Sequence, residues 1–140
     1  MARRADILYR PELFATRLTF MVHRPRSASG GRCQWFEAVA HDPPRPRPAR
    51  PGQRAVWRVE DGGAEYVFTS AAELDHFIDI WGRRLLPTPR QLAQARGMAA
   101  VNGVWLSRMA KPRWPRRLAL LRWIARNDAP FRRLMAELEP

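Results

Sequence analysis

Along residues 15–23 apolar and polar positions alternate: Leu18, Phe20 and Val22 fall on one side, Arg17, Thr19, Met21 and His23 on the other. A period of two is the signature of a half-buried strand. Residues 32–40 repeat the pattern around Trp35, Phe36 and Val39, and Ser27-Ala28-Ser29-Gly30-Gly31 between the two runs supplies turn chemistry for a hairpin. A second pair, 54–60 with Val56, Trp57 and Val59, and 64–68, flanks Asp61-Gly62-Gly63. Asp-Gly between two strand-like runs predicts a tight hairpin turn. A short extended piece at 7–9 is compatible with the same pattern.

After residue 69 the period changes from two to 3.6. Ser70 followed by Glu73 forms a capping box, in which the serine oxygen accepts from a backbone N–H and the glutamate reaches back. Leu74, Phe77, Ile78, Trp81 and Leu85 then recur at helical spacing and predict one apolar stripe, with Asp75 and Asp79 near its start and Arg83 and Arg84 near its end, as the helix dipole favours. Pro87-Thr88-Pro89 breaks the chain. Thr88 then caps a second helix to about Arg96, stopped by Gly97, and a third short helix is expected over 101–109. Lys111 to Pro115 makes a corner, and Pro115 opens a helix to about Asn127, with Leu120, Leu121 and Ile124 on one face and Arg122 and Arg126 opposite. Asp128 is placed to cap a last helix presenting Phe131, Leu134 and Leu138, with Arg132 and Arg133 turned outward.

Strands followed by helices, without alternation, predict an α+β fold: an antiparallel sheet of about four strands packed against a C-terminal cluster of four to five helices. A chain of 140 residues fits one domain, with a strand-rich part over 7–68 and a helical part over 70–138. Within the strand-rich part, residues 43–51 hold five prolines and three arginines, which excludes a central strand or helix and predicts a solvated polyproline-II excursion. The spacing Arg45-x-x-Pro48-x-x-Pro51 leaves three uses open: a plain loop, a basic contact arm, or a ligand for an aromatic groove.

Charge changes the picture more than composition does. The chain carries 25 Arg and Lys against 13 Asp and Glu, for a net +12, and Lys111 is its only lysine. A GC-rich coding sequence produces such an Arg bias by itself, so the bias is neutral about function; the excess over acids is not. By segment the net charge is +2 over 1–79, +12 over 80–136 and −2 over the last four residues. A basic surface confined to one part of the chain predicts a polyanionic partner.

Enzyme chemistry finds little support, and no cofactor is implied. The single Cys33 excludes an internal disulfide and any multi-cysteine metal site, and lies in an apolar stretch suited to a buried thiol. His23, His41 and His76 fall in different elements without close ligand spacing. Glu37 and His41 share a strand face, where a polar strand end explains them as simply as an acid–base pair. Residues 88–109 have the outline of a helix-turn-helix, but Arg96 and Gly103 stand where that unit buries apolar side chains.

The expectation is a non-enzymatic nucleic-acid-binding protein whose contact residues are Arg90, Arg96, Arg108, Lys111, Arg113, Trp114, Arg116, Arg117, Arg122, Arg126, Arg132 and Arg133. Phosphate neutralisation would dominate its affinity, and an exposed Trp114 would add a stacking surface. The rival expectation is an interaction subunit that docks an acidic protein through the same helices and the proline segment. No run of 18 apolar residues and no secretory signal pattern is present, which predicts a cytoplasmic protein without a membrane partner.

Overall fold

The computed structural model describes residues 2–11, 22–24, 40–42, 45–86 and 112–139. Among these residues the elements run in the order β1 (Arg3–Pro11), β2 (Val22–Arg24), β3 (Ala40–Asp42), β4 (Gln53–Asp61), β5 (Ala64–Phe68), α1 (Ala71–Trp81), α2 (Trp114–Asn127) and α3 (Ala129–Glu137). The fold is α+β. Its main sheet has three antiparallel strands in the order β1-β4-β5, and β2 and β3 form a separate two-stranded ladder. Among the described residues this corrects the expected single sheet of about four strands. The short extended piece expected at 7–9 is a nine-residue strand paired along its whole length with β4, from Arg3↔Asp61 to Pro11↔Gln53. Arginines on both of its faces obscure the alternation, although Ala5, Ile7 and Tyr9 do line the side that meets the core. The runs expected at 15–23 and 32–40 are described only at their ends, where Val22↔Asp42 and Arg24↔Ala40 pair antiparallel.

The β4–β5 hairpin follows its sequence. Gly62 and Gly63 take φ of 53° and 91°, the two consecutive positive values a tight two-residue turn needs, and glycine reaches them without a steric penalty. Register then puts Ala55, Trp57, Val59, Tyr66 and Phe68 on one face of the sheet, all buried. Against them pack Leu74, Phe77, Ile80 and Trp81 of α1, Leu120 and Ile124 of α2, and Phe131 and Met135 of α3. Aromatic rings tie the layers together. Trp57 stacks on Phe131 at 5.6 Å, while Tyr66 meets Trp81 edge-on at 5.3 Å and Phe68 meets Phe77 at 5.2 Å.

Three helices lie among the described residues, fewer than the four to five expected; the helices predicted from Pro89 to Arg96 and over 101–109 fall outside them. The serine half of the capping box forms, Ser70 Oγ accepting from Glu73 N at 3.1 Å, but the Glu73 carboxylate reaches one residue further back than the N-cap, accepting from Thr69 N at 3.2 Å and from the Thr69 hydroxyl. Ser70→Ala is expected to cost about 1 kcal/mol, read as a lower urea midpoint with an unchanged slope.

Helix α1 ends earlier than its apolar stripe suggested. Gly82 is its C-cap and donates to Ile78 O, and a Cβ at that position would lie 2.8 Å from the same oxygen. Leu85 is therefore not on the helix but 88% exposed beyond it. At the other junction Asp128 carries helical φ and ψ and makes no side-chain cap bond to α3; its carboxylate instead takes Arg132 Nε at 2.7 Å.

Where it is described, the proline segment is exposed at Arg47, Pro48, Arg50 and Pro51 but anchored to the fold rather than a free excursion. Arg47 N donates to Leu138 O at 2.7 Å, and its guanidinium donates to Glu137 O at 2.6 Å and Glu139 O at 3.1 Å, so a cation sits on the C-terminal carbonyls of α3. Arg54 binds Pro46 O, and the Arg50 guanidinium lies 3.6 Å over the Tyr9 ring. These contacts belong to a strap rather than to a loose arm.

Candidate nucleic-acid interface

The basic part of the chain divides by what holds each guanidinium. Four arginines there are taken up by the fold. Arg117 is 5% exposed and lies on the stripe of Leu120 and Ile124, not opposite it. It donates Nε to Pro112 O at 3.2 Å, Nη1 to Trp81 O at 3.3 Å and Arg83 O at 2.9 Å, and Nη2 to Arg84 O at 3.1 Å. One side chain thus satisfies the open carbonyls at the end of α1 and fastens α2 to them. The spacing 117, 120, 124 is itself the i, i+3, i+7 of a buried face, so the position was legible; the charge concealed it.

Arg116 turns to the sheet. Its Nε lies 3.4 Å from Asp61 Oδ2 and its Nη2 donates to Asp61 O at 2.8 Å, while Arg3 Nε meets Asp61 Oδ1 at 3.0 Å. Asp61, read from sequence only as a turn former, is fully buried between two arginines that join β1, β4 and α2. Burial together with the nearby Asp61 charge pushes the Tyr66 hydroxyl above its ordinary pKa, Arg116 opposing the rise. Arg132 binds Asp75 and Asp128, each at 2.7 Å, and Arg83 binds Asp79 at 3.0 Å. Arg117 is thereby an internal member of the fold, while Arg116 and Arg132 are ion-paired with part of each side chain still exposed.

Five arginines remain exposed: Arg84, Arg113, Arg122, Arg126 and Arg133. Among the described residues none of their side chains makes an ion pair or hydrogen bond. Arg84 is the one that the expected contact set omitted. Arg122 and Arg126 stand one turn apart on the outer face of α2, about 6 Å along the axis, with small Ala119 and Ala125 near them. No Asp or Glu occurs anywhere in residues 80–127, so no carboxylate of that stretch competes for these cations. Trp114 is half-buried, with the Arg117 guanidinium carbon 5.3 Å from its ring centre, and Trp123 packs partly against the core. Arg90, Arg96, Arg108 and Lys111 lie outside the described residues, as do Glu37 and Cys33.

His23 and His41 are register partners in the β2–β3 ladder. Among the described residues no group of three or more His, Cys, Asp or Glu side chains is placed to hold a metal ion, and no helix is long and apolar enough to cross a membrane. No family model, curated protein or solved structure matches the chain.

Proposed function

We propose that the protein binds nucleic acid without catalysis, through exposed arginines of its helical part. The observation that carries this reading is the separation of the cations into two sets. Among the described residues of the basic part Arg83, Arg116 and Arg132 pair with carboxylates and Arg117 with backbone carbonyls, whereas Arg84, Arg113, Arg122 and Arg126 are exposed in a stretch devoid of acids and Arg133 is exposed beyond it. Uncompensated guanidiniums repel one another, and a phosphate backbone relieves that repulsion while releasing its own counterions. Asparagine-like or serine-like base reading is not required for this; the contacts position a backbone rather than specify a sequence.

Binding of a generic duplex by Arg113, Arg122, Arg126 and Arg133 is expected to give a slope of log affinity against log salt of about −3 to −4 and a loss of roughly a hundredfold between about 50 and 200 mM salt. Reversing these four to Glu should abolish retention and leave the circular dichroism spectrum unchanged, because all four are exposed and, among the described residues, unpaired. Absence of binding by the unaltered protein at low salt, or unchanged binding after the reversal, would overturn the reading. An acidic protein recovered stoichiometrically after nuclease treatment would instead favour protein docking.

A further inference from the structure

The buried Arg117 guanidinium does more than close a helix. Its four acceptors belong to residues 81, 83, 84 and 112, so a single planar group holds the segment after α1 beside the one before α2. Arg84 and Arg113 spring from these two fastened segments, and both side chains are exposed and unpaired among the described residues. Two exposed side chains on a fixed backbone can close on one anion at a lower ordering cost than two on loose loops. Next to Arg113 stands Trp114, half-buried, its indole held beside the Arg117 guanidinium at 5.3 Å. Arg84, Arg113 and Trp114 thus branch from or next to backbone that one guanidinium gathers at a single corner, and Asp79, the nearest acid preceding it in sequence, is already bound by Arg83.

We propose that this corner is a docking point for single-stranded nucleic acid, with Arg84 and Arg113 on a backbone phosphate and the exposed part of the Trp114 indole stacked on the adjoining base. The proposal rests on the nucleic-acid reading and sharpens its substrate class. A duplex keeps its base faces stacked on each other, so an indole beside its phosphates finds no face to cover; a single strand offers one at every nucleotide. Arg117 is a positioning residue here, touching no ligand itself.

The test compares a labelled short oligothymidylate with a duplex of equal length, by fluorescence anisotropy across a salt series. The unaltered protein should prefer the single strand. Trp114→Leu should weaken the single strand about tenfold or more while duplex affinity and both salt slopes stay as they were. Arg84→Gln with Arg113→Gln should reduce the single-strand slope by about 1. If Trp114→Leu disturbs folding, Trp114→Phe replaces it and should lose part of the preference with helix content intact. Equal effects of the Trp114 variants on both substrates, no effect on either, or an unchanged slope in the double Gln variant overturns this proposal while general binding stands. Failure of the unaltered protein to bind either oligonucleotide removes both readings together.

Discussion

Arg117→Met is expected to lower the unfolding free energy by about 3 kcal/mol, one of the two largest single-residue effects anticipated in this chain. Methionine would sit comfortably on the apolar stripe with Leu120 and Ile124, and exchanging a buried ion pair for apolar side chains is often nearly neutral. The difference here is that the acceptors are backbone carbonyls, which cannot be exchanged along with the arginine. Pro112, Trp81, Arg83 and Arg84 would each lose a donor, and the bond to Trp81 O is buried, where water does not replace it. Arg117→Lys should fall between, since one ammonium cannot span acceptors arranged around a planar fork. Urea unfolding checks the prediction: the midpoint should drop by roughly 1–2 M with little change in slope. Arg122→Met, on the exposed face of the same helix, should stay within about 0.5 kcal/mol of the unaltered protein. Equal midpoints for the Arg117 and Arg122 variants would show that the carbonyl fork does not hold α1 to α2.

The second large effect is a dependence of stability on pH that resides in one carboxyl. Glu73 is 1% exposed, and burial pushes its carboxyl from 4.5 up to about 7, against the opposing pull of the two Thr69 hydrogen bonds and the Arg45 charge. For an acid raised in this way the sign is the reverse of the usual carboxylate case. Below about pH 4.5 Glu73 is protonated in both folded and unfolded chains and costs nothing. Between 4.5 and about 7 the unfolded chain releases its proton while the folded one keeps it, so stability falls as pH rises; above about 7 the deficit levels off near 3 kcal/mol. Glu73→Gln retains an oxygen for Thr69 N and carries no charge. It should melt level with the unaltered protein at pH 4 and roughly 10 °C higher at pH 8. Parallel melting profiles across that range would mean that the carboxyl is not held neutral by the fold.

Both effects start from residues whose position the chain announces and whose burden it does not. Ser70 and Glu73 stand at the fixed local spacing of a capping box, and the helix they open was legible for that reason. Nothing local shows that the N-terminal turn of α1 is fully covered, so the glutamate read as a cap is also a buried acid. The Asp61-Gly62-Gly63 turn was legible through the positive φ its glycines supply, whereas the two arginines that flank the buried Asp61 come from positions 3 and 116. In the candidate interface the same division holds. That residues 80–127 lack acids is plain from the sequence; which of their arginines are open depends on carbonyls and carboxylates brought in from elsewhere.

Local periodicity determined the α+β order, the β4–β5 hairpin, the start of α1 and the course of α2, because each rests on interactions spanning a few residues. It also located the charge excess. Tertiary structure alone decided that β1 lies along the full length of β4, that the proline segment straps the end of α3, and that Arg116, Arg117 and Arg132 belong to the fold while Arg84, Arg113, Arg122, Arg126 and Arg133 face outward. The physical reason is one of range: a guanidinium finds its partner by proximity in space, and for Arg116 and for every Arg117 acceptor except Pro112 that partner lies more than 30 residues away along the chain.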